Sequence, residues 1–227
     1  MSTFMEQWAL LLAPNRKISA GVKLDPLVEG RNPFLADYDR IIFSSSFRRL
    51  ARKTQVHPLV RNDHIHNRLT HSLEVSSVGR SLGLQVGQTL ADREHLPDGF
   101  SPEHLGQIIQ AACLAHDIGN PPFGHAGEDA IREWFRTSGL LERHAFSPAQ
   151  KADFERYEGN AQGFRIVSRL QSPANPGGLQ LTSAVLAAFT KYPRPSQLDV
   201  ELEGKSGKKF GFFQHDADNF ARVATAT

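Results

Sequence analysis

The feature that most constrains this 227-residue chain is an apolar helical run that must stop on a chemically loaded dipeptide. Ser101 and Pro102 can open a helix, with Glu103 and His104 in its first turn. Leu105, Ile108, Ile109, Cys113 and Leu114 then recur at helical spacing. Pro121-Pro122 cannot continue the helix, so it ends near Gly119. His116 and Asp117 therefore emerge from a buried face at its C-terminal end. An ionised aspartate beside a core is costly unless it is paired or bound to a metal. Imidazole and carboxylate together suit a divalent ion such as Mn²⁺, Fe²⁺, Co²⁺ or Zn²⁺, and carboxylates suit Mg²⁺.

The rest of the chain reads as an all-α fold. Helices are expected over 39–53, 70–92 with Thr70 as N-cap, from His125 to about Ser138, over 160–170 and over 181–190. Leu73, Val75, Val78, Leu82, Leu84 and Val86 are the apolar positions of the second of these. Residues 142–157 are charged and carry a weaker signal. Residues 199–213 fit a small β-hairpin or an ordered loop, and 220–227 begin a helix without a stop signal. Apolar residues make up 40% and charged residues 22%, which is globular. The length suits one domain, residues 1–227, with no internal repeat. Cys113 is the single cysteine, so no disulfide forms within the chain, which suits a reducing cytoplasm. No run approaches the ~18 apolar residues of a membrane span, and Met1–Ala13 lacks the basic region of a signal peptide.

Other residue patterns add candidates. His71 is a second metal-ligand candidate, with His64 and His66 as alternatives on spacing. His125 and Glu128 lie three apart at a helix start, on one face. Such a pair serves acid–base work, or the glutamate simply favours the helix N-terminus. Net charge is only +2, but 40–68 holds Arg40, Arg48, Arg49, Arg52, Lys53, Arg61 and Arg68 against Asp63 alone. That stretch can attract a polyanion or form a solvated helix face.

Several of these segments together resemble a known family. Arg48-Arg49-Leu50-Ala51-Arg52-Lys53-Thr54-Gln55-Val56, Arg68-Leu69-Thr70-His71-Ser72 and the run from His116 to Glu128 are similar to the deoxyguanosine-triphosphate triphosphohydrolase-like proteins of the HD superfamily. So are Glu158-Gly159-Asn160-Ala161-Gln162-Gly163 and Lys191-Tyr192-Pro193-Arg194-Pro195, and the matches fall in family order over about residues 40 to 215. The resemblance implies an HD-type helical bundle with its core over about 62–227. It implies His71, His116 and Asp117 as three of four ligands to a divalent metal, foremost Mg²⁺ or Mn²⁺, with Fe²⁺, Co²⁺ or Zn²⁺ as alternatives. His125, supported by Glu128, would be the catalytic acid–base pair. Gln55 would contact the deoxyribose, and Asn160, Lys191, Tyr192 and Lys209 the triphosphate and sugar.

The activity so implied is metal-dependent hydrolysis of dGTP or a related dNTP to deoxynucleoside and triphosphate, in a complete protein that is a homo-oligomer. The family's fourth ligand is an aspartate in a downstream Ala-Asp-Asp-Ile-like helix. Asp216 and Asp218 do not match that motif, so the chain is expected to be truncated. Three alternatives stay open: another HD-type nucleotide phosphohydrolase, a non-catalytic module for nucleotide or single-stranded nucleic acid, and an inert fragment with an incomplete site. No membrane partner is expected.

Overall fold

The computed structural model describes residues 4–16, 18, 27, 30–55, 67–174, 176–197, 207 and 209–227. Among these, all the regular elements are helical, and the β contact is an isolated antiparallel bridge between Thr54 and Asn67. The elements are α1 (Phe4–Leu11), α2 (Pro33–Ile42), α3 (Ser45–Arg48), α4 (Arg68–Asp92), α5 (Pro102–Ala115), α6 (His125–Thr137), α7 (Leu140–Arg143), α8 (Pro148–Glu155), α9 (Gly159–Arg165), α10 (Ser183–Phe189) and α11 (Ala217–Ala224). A 3₁₀ turn follows α3, a π turn extends α9 to Leu170, and another 3₁₀ turn precedes α11. The hairpin or loop expected near 199–213 lies largely outside the described residues, and Lys209–Phe213 run as irregular chain.

The helix expected over 39–53 is instead three pieces. Asn32 caps α2 by accepting from the Phe34 and Leu35 N–H groups, which starts it earlier. Ser44 accepts from Phe47 N–H and starts α3 afresh. The α4 cap is also displaced: Asn67, not Thr70, accepts from Leu69 and Thr70 N–H.

At the centre is α5, whose Ile108, Ala111, Leu114 and Ala115 are buried among α2, α4 and α10. Along the α4–α5 contact only part of the expected apolar stripe faces inward: Leu84 lies against Gly106 and Val75 is half-buried. Val78, Leu82 and Val86 are exposed, while Ser72, Ser76, Gly79, Gly83 and Gly87 are buried. The helix axes are too close for larger residues. A Cβ on Gly87 would stand 2.7 Å from Pro102 Cα, and one on Gly83 would stand 2.9 Å from Gly106 Cα.

The start of α5 carries a titratable cap. Ser101 N–H donates to His104 Nδ1 at 3.1 Å, which requires an unprotonated nitrogen there. Burial lowers the His104 pKa below its ordinary 6.5, opposed by Glu103. The unfolded chain therefore binds this proton more readily, and stability from this group is full above pH 6.5 and lost as pH falls below it. The protein should lose more melting temperature between pH 7.5 and 5.5 than a His104→Gln variant, whose amide oxygen accepts at any pH. Equal losses would remove His104 from the account.

Candidate active site

Three side chains from two elements converge at the end of α5. His71 lies in the first turn of α4, placed there by the Asn67 cap. His116 and Asp117 form the turn that ends α5. The metal-binding atoms of His71, His116 and Asp117 all lie within 4.8 Å of one another. The two rings meet edge-on with centroids 5.2 Å apart. His116 Nδ1 lies 2.7 Å from the Cys113 carbonyl, which can only accept, so Nδ1 carries a proton and Nε2, 3.5 Å from Asp117 Oδ1, is the nitrogen left for a metal. Two ligands on one divalent ion stand at most about 4–4.5 Å apart, so a shift of a few tenths of an ångström closes the cluster. Donor chemistry and spacing both fit a divalent ion. His64 and His66 lie outside the described residues.

Asp117 is buried and held from two sides. Arg68 donates to its Oδ2 at 2.7 Å, and the Asn120 amide donates to Oδ1. Lys53 donates to the Asn120 carbonyl at 2.6 Å. Burial, reinforced by Arg49 and Arg68, lowers the Lys53 pKa, with Asp117 opposing. The basic stretch is thus divided. Arg40 binds the Leu179 and Gln180 carbonyls, Lys53 and Arg68 serve the His-Asp turn, and Arg48, Arg49 and Arg52 face solvent. Arg61 lies outside the described residues.

The turn itself is pressed against α9. A Cβ on Gly119 would meet Gly159 O at 2.0 Å and Gly163 N at 2.1 Å. Phe123 holds φ +64° and Gly124 φ +55°, a left-handed pair that swings the chain into α6. Gly119→Ala should therefore separate the turn from α9. We expect a loss of roughly 1–3 kcal/mol in chemical denaturation, and weaker divalent-metal binding by calorimetry. Wild-type behaviour in both would mean that the contact is looser than the backbone distances require.

A cavity of about 560 Å³ opens beside the cluster. His116, Asp117, His125 and Glu128 line it, and so do Gln55, Asn160, Lys191, Tyr192 and Lys209. His125 is exposed at the first position of α6. Glu128 is buried and turned to other partners: it accepts from Gly159 N–H at 2.8 Å and lies 3.2 Å from Arg132 and 3.5 Å from Lys209. Lys209 sits 2.8 Å from Glu158. Burial opposes the lysine's charge, but the hydrogen bond and charge of Glu158, with Glu128, prevail and raise its pKa. Asn160 also donates to Glu158, at 2.7 Å. Lys191 is exposed beside the Tyr192 ring, 5.5 Å from its centroid. The buried Gln55 amide oxygen has no hydrogen-bond partner among the described residues.

Arg68, Asn120 and Glu158 are cavity residues to which the sequence reading gave no role, although all three lie inside recognised motifs. An apolar wall of Ile109, Ala112 and Cys113 from α5 was also missed. Asp216 is fully buried between Arg165 at 3.1 Å and Arg169 at 2.8 Å and is not part of the metal-binding group.

Residues 68–175 match the HD domain, so the match opens at Arg68 and encloses His71, His116 and Asp117. The chain carries an HD domain. Its helical architecture is that of an HD-type bundle. The chain is similar to a deoxyguanosinetriphosphate triphosphohydrolase-like protein of Synechocystis, at 51% identity over 96% of this chain and 50% of the relative. A protein of the same name from Pseudomonas aeruginosa is 55% identical over 82% of this chain and 42% of the relative. A deoxyguanosinetriphosphate triphosphohydrolase of Klebsiella pneumoniae is 35% identical over 84% of this chain and 43% of the relative. The chain thus spans about half the length or less of these curated relatives. No helix among the described residues is long and apolar enough to cross a membrane.

Proposed function

We propose that this HD domain supplies the catalytic centre of a cytoplasmic phosphohydrolase that converts dGTP, or a related deoxynucleoside triphosphate, to deoxynucleoside and inorganic triphosphate. The observation that carries the reading is the convergence of His71, His116 and Asp117 beside a cavity lined by His125, Gln55, Asn160, Lys191 and Tyr192. The names of the relatives supply the substrate class. Bond formation is between a water oxygen and the α-phosphorus, and the P–O5′ bond breaks, leaving triphosphate whole.

A divalent ion held by the two histidines and Asp117 would polarise the phosphoryl oxygen and make the water more acidic. The chain's own residues do the rest. A triphosphate carries about four negative charges that need matching in a partly dry site, and Arg68, Lys191 and Lys209 are cations on the cavity wall. Lys209 reaches the phosphates only by leaving Glu158, so substrate competes with a carboxylate for it. Asn160 and Tyr192 orient the polyphosphate and sugar, and Gln55 offers its unpartnered amide oxygen to a deoxyribose hydroxyl. His125, open to solvent at the rim, would take the proton from the attacking water or deliver one to the leaving O5′.

The products decide the matter. Protein incubated with dGTP and Mn²⁺ should release tripolyphosphate and deoxyguanosine in equal amounts by ion-exchange chromatography. Release of orthophosphate or pyrophosphate would point to another HD-type phosphohydrolase. Binding of dGTP without turnover would point to a nucleotide-holding module.

A further inference from the structure

A second cavity, of about 410 Å³, lies between α6, α8, α9 and residues 213–215. Its walls are aromatic. Phe135 and Phe146 both meet Phe154, with centroids 4.7 and 5.3 Å apart, and Tyr157 leans on Phe213 at 6.2 Å. Phe135, Phe146 and Phe154 belong to neither buried apolar cluster, so each is half-buried mainly by the others. Aromatic rings placed around an opening rather than in a core have faces left to stack against. Gln150, Asp153, Gln162, Arg165 and His215 are the polar and charged groups on its wall. Asp153 is held by Ser196 and the Gln214 N–H, and the Arg165 guanidinium lies 5.8 Å from the Phe213 ring centroid. The Gln162 amide lines the cavity and has no hydrogen-bond partner among the described residues.

We propose that this cavity binds a planar heteroaromatic molecule of purine size, stacked on the phenylalanine rings and hydrogen-bonded by Gln162. Its volume falls within the range of small-molecule sites, roughly 300–1,000 Å³. The occupant is uncharged, because Asp153 and Arg165 are already satisfied by Ser196, Gln214 and Asp216.

The two cavities share one helix face. Glu128, Ile131, Arg132 and Phe135 form the inner stripe of α6, which begins in the first cavity and ends in the second. Arg132 bonds the Tyr157 carbonyl at 2.7 Å and Glu128 at 3.2 Å, and Glu128 accepts from Gly159 N–H. Tyr157 lines the second cavity, and its pKa is pushed up to about 12 by burial and by Glu128 and Glu158. A molecule that shifts the Tyr157 main chain therefore also shifts Arg132, one of the groups that hold Glu128.

Caffeine is the probe, since it has a purine ring but neither sugar nor phosphate. Titration followed by NMR needs no turnover, so the result is independent of the hydrolytic reading. Saturable binding is expected, weakened roughly three- to tenfold by Phe146→Ala and by Gln162→Leu and unchanged by Lys191→Ala in the first cavity. Gln162→Leu keeps the side chain's size and serves if Phe146→Ala folds poorly. The Gly159 amide resonance should shift along the same binding curve. No saturable binding up to about 10 mM, or weakening by Lys191→Ala, or indifference to both cavity variants, overturns the site. A Gly159 resonance that stays still while caffeine binds overturns the coupling.

Discussion

Asp117→Ala and His116→Ala should each lower divalent-metal affinity by more than roughly 100-fold, while His125→Ala leaves it unchanged and removes turnover. Losing a group that merely supports a metal ligand already costs about 10–100-fold in affinity, and these residues are the proposed ligands themselves. Asp117 carries a further consequence. Arg68 is buried, its Nε has no hydrogen-bond partner, and Asp117 is its one ion-pair partner among the described residues. Removing the carboxylate strands that guanidinium, so Asp117→Ala should also lose stability where His116→Ala loses little. His125 projects from the helix start into solvent and touches none of the three ligands at ion-pair or hydrogen-bond distance. Its loss should therefore cut kcat by about 10²–10⁴, the usual contribution of a positioned acid–base group. Calorimetric metal titration, thermal melting and dGTP turnover on the three variants check this pattern. A His125→Ala protein that hydrolyses dGTP normally would sink the acid–base assignment. A His116→Ala protein that binds Mn²⁺ normally would sink the metal site.

What could be read along the chain was what local chemistry decides. The Ser101-Pro102 start of α5 depends on adjacent residues and appears at the expected place, whereas the helix expected to reach Gly119 stops at Ala115 and a turn carries the chain on toward Pro121-Pro122. His71, His116 and Asp117 could be nominated because their residue types and motifs are local. What could not be read depends on how close two helices come. The α4 stripe of Val78, Leu82 and Val86 has helical spacing, yet the buried face is the glycine and serine row, because α5 approaches to backbone contact. Periodicity marks an apolar face but does not say whether a neighbour covers it. The same limit hid Glu128's partners. Its i+3 spacing from His125 suggested a pair, whereas the carboxylate is taken up by Gly159, Arg132 and Lys209, which lie 31, 4 and 81 residues away. No pattern within α6 contains Gly159 or Lys209.

Among the described residues, the deepest ion pair predicts the largest loss of stability. Asp37 on α2 is fully buried and pairs with Arg16 at 2.5 Å, and its second oxygen accepts from Thr182 N–H at 2.7 Å. Arg16 also donates to the Gln180 carbonyl, so one carboxylate joins the chain after α1, α2 and the start of α10. Asp37→Asn keeps an acceptor for Thr182 but removes the counter-charge that Asp37 supplies to the buried Arg16 guanidinium. We expect a loss of about 3–5 kcal/mol in chemical denaturation, as for a broken buried pair. Arg16→Met with Asp37→Leu should recover part of that loss, because neither charge is then buried. Recovery stops short of wild type, since Thr182 N–H loses its partner at roughly 1–3 kcal/mol, while the Gln180 carbonyl keeps Arg40. Burial raises the Asp37 pKa, with Arg16 and Thr182 opposing. If the double variant is less stable than Asp37→Asn, the buried charge is not the main cost, and the clamp's contribution lies in its hydrogen bonds.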